Sequence, residues 1–206
     1  MTVEHYQDSG RRMQDELVLI KRTRAGDQQA FARLVEQYQS QVYNLCYRML
    51  GNAGDAEEAA QETFLRAFSR LKTYDESRKF SSWLLSIGSH YCIDRLRRRR
   101  FTWTDIDDLA PKLESPRSDD RPEQVYLQSE LADDVQRMLG KLSPLYRTVL
   151  VLRYWQHASY EEMGEILGIS ESAVKSRLHR ARKAMADLMQ EQPAARGRLT
   201  PAVMQG

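Results

Sequence analysis

Two cysteines are all that this 206-residue chain contains, and Cys46 and Cys92 stand far apart. There is no CxxC pair, and the four histidines, His5, His90, His157 and His179, are scattered. That pattern excludes a zinc module or a disulfide-stapled scaffold and suits a reduced compartment. Glycine is scarce, and no glycine-rich phosphate loop, metal cluster or nucleophile constellation occurs. No catalytic residue, metal, cofactor or small-molecule substrate is therefore expected, and the chain does not read as an enzyme. No apolar run approaches the roughly 20 residues that span a bilayer, and the first residues, MTVEHYQDSGRRMQDE, lack the hydrophobic stretch of a signal peptide. A cytoplasmic protein without direct membrane insertion is the expectation. Period-two alternation is missing too, so strands are not expected, and no short internal repeat is present. The formal net charge is only +2. Attraction to a polyanion cannot come from that balance and has to come from how the charges are placed.

Their placement is uneven. Five arginines crowd Arg95–Arg100, residues 104–123 carry seven acids against three bases, and residues 175–183 carry five bases and no acid. Apolar residues otherwise recur at three and four, which predicts an all-α chain. A short helix around Asp15–Thr23 precedes one capped by Asp27, with Phe31, Leu34, Tyr38, Val42, Leu45 and Met49 on one stripe. The glycines of GNAGDAEE end it, and Asp55 with Glu58 reads as a capping box for a helix to Leu71 whose stripe is Ala60, Phe64, Ala67, Phe68 and Leu71. A fourth helix starts near Phe80, with Phe80, Leu84, Ile87 and Tyr91 facing inward and Ser86, His90 and Arg97 on another arc. Residues 101–125 hold Pro111, Pro116 and Pro122, acids and serines, which is the composition of a linker between two small cores. Beyond it, Ser143 and Pro144 open one helix and a more specific pattern follows.

That pattern is SYEEMGEILGISESAVKSRLHRARKAM. Ser159 and Glu162 form a capping box, Gly164 permits a close crossing, Gly168 suits a left-handed turn, and Ile169 plugs the angle before a second helix capped by Ser170. On that second helix Val174, Leu178, Ala181, Met185 and Leu188 share a face. Ser172, Lys175, Ser176, His179, Arg180 and Lys183 point the other way, a set of hydroxyls and bases that fits a major groove. A helix-turn-helix binding duplex DNA is the firmest reading of the segment.

With DAEEAAQETFLRAFSRL at 55–71, FSSWLLSIGSHYCIDRLRRRR at 80–100, an acidic linker and this helix-turn-helix in that order, the chain resembles a bacterial RNA polymerase sigma factor of the extracytoplasmic-function type (sigma-70 family, group 4). The resemblance covers about residues 15–190. It implies two small helical domains: a sigma-2 domain at 15–100 that binds core polymerase and recognises and melts the minus-10 element, and a sigma-4 domain at 126–190 that docks on the minus-35 element. Residues 1–14 are then a flexible N-terminus, 101–125 an acidic, Pro-containing flexible linker, and 191–206 a disordered tail. Region 1.1 and the sigma-3 domain of housekeeping relatives are not expected.

By the same resemblance, Gln61, Glu62, Leu65 and Arg66 meet the clamp helices of the largest polymerase subunit, with the flap as a further polymerase contact. The loop Asp75–Lys79 takes a base flipped from the non-template strand, Ser77 and Arg78 being its contacts, although DESRK departs from the glycine- or asparagine-bearing loops of some members. Ser86, His90, Asp94, Arg95, Arg97 and Arg98 carry the minus-10 surface onward, chiefly to phosphates. Trp83 sits close to the core arc and is left out of that set. The linker is either a solvated spacer or a mimic of nascent RNA. An anti-sigma factor is the implied regulator, able to hold the chain at the membrane, and a stress or envelope response is the implied setting. The alternative function is a stand-alone helix-turn-helix regulator that binds duplex operator DNA and uses residues 15–100 as a sensor or dimerisation unit.

Overall fold

Start and stop signals divide the described residues into eight α-helices. The computed structural model describes residues 3–103 and 123–190, with side chains over 14–99 and 132–190. The first half is α1 (Val3–Arg24), α2 (Gln28–Leu50), α3 (Ala53–Arg70), a 3-10 turn (Leu71–Thr73) and α4 (Phe80–Trp103). The second is α5 (Glu123–Lys141), α6 (Pro144–Tyr154), α7 (Tyr160–Leu167) and α8 (Glu171–Gln190). No strand occurs among the described residues. The helix expected from Asp15 begins at Val3 instead, because no proline interrupts the polar stretch before it. At the expected linker, α4 runs to Trp103 and α5 starts at Glu123; residues 104–122 and the 191–206 tail lie outside the described residues.

Capping accounts for most of these boundaries. Asp27 accepts from the backbone of Gln29 and Ala30 at the start of α2, and Gly51, at φ 89°, ends it in the left-handed region that glycine tolerates. Ser143 caps α6 with Pro144 in its first turn, and Ser159 and Glu162 exchange reciprocal bonds of 3.1 and 2.8 Å at the start of α7. One cap differs from expectation. Asn52, not Asp55, begins α3, its side-chain oxygen accepting from the Asp55 backbone at 2.7 Å. Asp55 thus stands three residues inside, which frees its carboxylate for other partners.

Burial on α2 follows the expected stripe, with Leu34, Val42, Leu45 and Met49 inaccessible and Phe31 and Tyr38 at its edges. On α3 the buried face is rotated by about one residue. Ala56, Ala59, Thr63 and Ala67 go inward, while Phe64 is half-buried and Phe68, expected in the core, remains 46% exposed against Phe31. Small side chains win the inner face because α3 must pass close to both α2 and α4. A Cβ on Gly88 of α4 would already lie 3.2 Å from Leu45 and 3.3 Å from Thr63. Phe80 and Leu84 of α4 are buried as expected, with Ile87 and Tyr91 half-buried. Cys46 and Cys92 are brought together in this core as free thiols, and their mutual hydrogen bond and burial push the Cys92 thiol far up.

The two small cores anticipated from composition merge into one contiguous apolar cluster. Helix α2 packs on α5 and α6, and α4 packs on α6 and α7. Within the second half, Val174, Leu178 and Ala181 of α8 and Met163 and Ile166 of α7 are buried as expected. Gly164 is required there, since a Cβ at that position would stand 2.9 Å from the Ile169 carbonyl oxygen, a backbone atom with little freedom to move. Gly164→Ala should therefore destabilise the chain by about 1–2 kcal/mol despite alanine's better helix propensity, as read by chemical denaturation. An unchanged midpoint would refute the close crossing.

Candidate nucleic-acid interface

On α8, the three buried residues turn the opposite face outward. Ser172, Lys175, Ser176, His179, Arg180 and Lys183 are all exposed. They share one exposed face of α8, opposite Val174, Leu178 and Ala181. Arg180 Nε bonds the Ser176 carbonyl at 3.3 Å, which lays the guanidinium along the helix. Ser170 bonds the Ser172 hydroxyl at 3.0 Å and accepts from the Ala173 backbone, completing the expected cap. One residue was missed: Glu171 pairs with Lys175 at 2.6 Å, and this hydrogen bond raises the lysine's pKa. The basic face thus carries a carboxylate at its amino end, where it also favours the helix dipole.

The loop before α4 is built from below. Arg24 of α1 bonds the carbonyls of Leu71 and Tyr74 at 3.0 and 2.5 Å and the Glu76 carboxylate at 2.5 Å. The buried Tyr74 ring meets Phe80 edge-on at 5.4 Å and Trp83 at 5.1 Å, and its hydroxyl donates to the Arg78 carbonyl. Asp75 accepts from the Ser77 backbone at 2.9 Å, a bond that lowers the Asp75 pKa. A rigid base thus carries an exposed tip, Asp75 to Lys79. Ser77 and Arg78 are both at that tip. Trp83 belongs to the aromatic base, in keeping with its place near the core arc.

Along α4 the expected surface divides. His90 is exposed, with Nδ1 held 2.7 Å from the Ser86 carbonyl so that Nε2 points away. Asp94, Arg97 and Arg98 are exposed as well. Ser86 is half-buried and spends its hydroxyl on the Trp83 carbonyl at 2.7 Å. Arg95 is committed elsewhere: it reaches Asp55 at 2.5 Å, Glu58 at 2.8 Å and the Tyr91 hydroxyl at 3.3 Å. Arg99 takes the second Asp55 oxygen at 2.6 Å. Burial works to raise the Asp55 pKa, but the bonds from Arg99, Asn52 and Arg95 outweigh it and hold the carboxyl below the usual aspartate range. The cluster ties the start of α3 to the end of α4, and the displacement of the cap to Asn52 is what makes it possible.

A third surface lies on α2 and α3. A groove of about 490 Å³ runs between them, lined by Gln39, Tyr43, Asn44, Glu57, Gln61 and Phe64 among others. Of the four residues anticipated for a partner helix, Gln61 lines this groove and Leu65 is exposed by 66%. Glu62 and Arg66 pair with each other at 2.7 Å, and Arg66 stacks over Tyr91 at 4.9 Å. The α2 contributors were not singled out from sequence, because their polar side chains carry no helical stripe of their own. Among the described residues, no group of histidine, cysteine and acid side chains could hold a metal, and no helix is long and apolar enough to cross a membrane.

Comparison with known proteins bears on both halves. Residues 34–102 match the Sigma-70 region 2 family and residues 132–185 match Sigma-70, region 4. The chain is 40% identical over 172 residues to the ECF RNA polymerase sigma factor SigW of Bacillus subtilis (strain 168), an alignment covering 81% of this chain and 92% of that one. The chain belongs to the ECF RNA polymerase sigma factors. The ECF RNA polymerase sigma-E factor of Salmonella typhimurium (strain LT2) is 32% identical over 84% of this chain and 93% of its own. Among solved structures, CnrH in complex with the cytosolic domain of CnrY superposes with a TM-score of 0.64 at 27% identity, covering 86% of this chain and 99% of that one. As a sigma factor, the chain is a transcription initiation factor working with RNA polymerase and promoter DNA, and the stand-alone regulator falls away. Region 2 spans the loop, α4 and the α2–α3 groove, and region 4 spans α6, α7 and most of α8.

The Asp55 cluster has a measurable consequence. Asp55→Asn should cost about 2–3 kcal/mol at neutral pH, because it removes charged hydrogen bonds to two arginines. Since the folded pKa is depressed, that contribution is present above the ordinary aspartate value and is lost as pH falls through the folded one. Denaturation of both proteins across pH should show the gap closing in acid. A gap independent of pH would contradict the ion-pair account.

Proposed function

We propose that α1–α4, about residues 15–100, form the unit that binds core polymerase and reads the minus-10 element, and that residues 126–190 read the minus-35 element, with 101–125 as the connection. The observation that carries this is the division of exposed bases between two surfaces, the loop and α4 in region 2 and the α8 face in region 4. On α8, Arg180, Lys175 and His179 have the donors for base edges, while Lys183 and the serines suit phosphates. In the first unit, Ser77 and Arg78 at the loop tip contact an extruded base, and His90, Asp94, Arg97 and Arg98 follow the strand. Arg95 and Ser86 act from behind that surface as positioning residues, because their polar atoms are engaged within the fold.

The α2–α3 groove is the proposed seat for the polymerase clamp helices, with Gln61 and Leu65 joined by Tyr43 and Phe64. A mostly apolar channel beside an exposed leucine suits an amphipathic helix laid along it. Glu62 and Arg66 pair with each other on the side of α3 that faces Tyr91 of α4 and do not line the groove. The protein acts without catalysis of its own, in the cytoplasm, and responds to a stress or envelope signal. An anti-sigma partner is proposed from the solved complexes of similar chains: one neighbour is CnrH bound to the cytosolic domain of CnrY, another RpoE bound to the anti-sigma factor NepR.

Three measurements test these assignments. Replacing Arg97 and Arg98 by Ala should lower the salt slope of holoenzyme binding to promoter DNA by about 0.9 per lost duplex contact or about 0.7 per single-strand contact. An unchanged slope would remove them from the interface. Arg180→Ala should weaken a duplex carrying the minus-35 element by about 1–3 kcal/mol if it bridges a guanine edge; equal affinity would contradict the α8 assignment. Titration of labelled chain with core polymerase should show weaker binding for Leu65→Ala and Gln61→Ala, and a superimposable curve would exclude the groove.

A further inference from the structure

The amino end of α8 carries a carboxylate where the rest of its exposed face carries bases and hydroxyls. Glu171 is the first residue of the helix, and from there to Lys183 the chain has no other acid. Its side chain is exposed and pairs with Lys175, one turn on, at 2.6 Å. Lys175 meets a second element as well, its ammonium lying 5.5 Å from the centre of the Tyr160 ring at the start of α7. Arg153 stands over the same ring at 5.1 Å and bonds the Ala158 carbonyl at 3.1 Å, which fixes the ring against the turn before α7. Carboxylate and ammonium therefore stand side by side in the free chain, in the Glu-before-Lys order that favours a pair four residues apart on a helix.

An acid at this position can serve in two ways, and they differ in what DNA sees. Stabilising the helix dipole needs only a carboxylate near the first turn and is indifferent to base sequence. In a helix-turn-helix, however, the amino-terminal residues of the second helix are the ones brought to base edges in the major groove. A carboxylate there is repelled by the phosphates and is accommodated where a donor faces it. On the major-groove edges only cytosine N4 and adenine N6 are donors, whereas guanine and thymine offer acceptors. A cytosine–guanine pair sets cytosine N4 beside guanine O6 at ~2.9 Å, the length of the hydrogen bond between them, with guanine N7 next in line. The Glu171 carboxylate and the Lys175 ammonium, 2.6 Å apart, present the complementary order of acceptor and then donor. An adenine–thymine pair offers the ammonium isolated acceptors in place of the O6 and N7 couple.

Resting on the assignment of α8 to the minus-35 duplex, we propose that Glu171 is a further specificity-determining residue. Its carboxylate accepts from cytosine N4 while Lys175 donates to O6 and N7 of the paired guanine, so that the two side chains read one cytosine–guanine pair as a unit. The test uses holoenzyme reconstituted from core polymerase and the full chain, with promoter fragments carrying each single base-pair change across the minus-35 element. The unchanged chain should favour cytosine–guanine at one position by about 5- to 150-fold. Glu171→Gln, close in shape and exposed, should move that preference toward adenine–thymine, because an amide both accepts from adenine N6 and donates to N7. Glu171→Ala should flatten it, and discrimination at the other positions should persist in both variants. The proposal is overturned if the unchanged chain shows no such position, if the variants leave its preference intact, or if they shift affinity uniformly for every fragment, as loss of a dipole effect would. Arg180→Ala keeps the two assignments apart. If it alters discrimination elsewhere in the element while both Glu171 variants are silent, α8 reads the duplex and Glu171 does not; if all three are silent, the α8 assignment itself fails.

Discussion

The end of α2 is the point on which the two halves turn. That helix touches α1, α3 and α4 of its own half and α5 and α6 of the other, so its position sets nearly every other helix. Its last carbonyls face protein, where an unpaired acceptor costs on the order of 1–3 kcal/mol. Gly51 meets the Tyr47 carbonyl with its own N–H, and Gln136 and Arg147 meet those of Arg48 and Met49. Arg147 also bonds the Gly140 carbonyl at 2.7 Å, which ties the α5–α6 turn to the same spot. A buried guanidinium surrounded by carbonyls is costly to leave without them and donates in fixed directions, so the contact fixes one relative placement of the halves.

Arginine serves opposite ends along a single helix. Arg95 and Arg99 face Asp55 and Glu58 and are held by them, whereas Arg97 and Arg98 stand on the exposed side of the same turn. What separates the roles is helical phase: at about 100° per residue Arg95 and Arg99, four apart, share the face of the carboxylates, and Arg97 and Arg98 fall on another. The aromatic base under the loop has a similar division, with Tyr74, Phe80 and Trp83 packed beneath a tip that is polar throughout. In both places a rigid, satisfied layer carries an exposed one, which is the arrangement a single-strand reader needs to keep its geometry when the partner arrives.

Local signals were the legible ones. Asp27, Ser143, Ser159 with Glu162, and Gly168 each act through atoms within a few residues, and each does in the structure what its position in the sequence suggests. The stripe of α2 was equally readable, since its large apolar residues all fall on one face. Helix α3 was not, because its inner face is made of alanines and a threonine, and a reading weighted toward phenylalanine turns it the wrong way. The α2 side of the groove was hidden as well, because Gln39, Ser40 and Asn44 carry no apolar stripe. Pairings over long sequence distances, such as Arg95 with Asp55 or Lys79 with Glu162, leave no periodic trace. Arg95 therefore looked like any other member of the cluster.

The central claim is that one chain carries two separate promoter-reading surfaces for use with RNA polymerase. The most direct measurement is transcription by core polymerase, with and without the chain, from a pool of templates randomised upstream of the start site, followed by sequencing of the templates that yield transcripts. The account predicts transcripts that depend on the chain and templates sharing two blocks about 25 base pairs apart, each lost separately by substitutions on α8 or in the loop and α4. Transcripts indifferent to the chain, or enrichment of a single palindrome bound without polymerase, would contradict it.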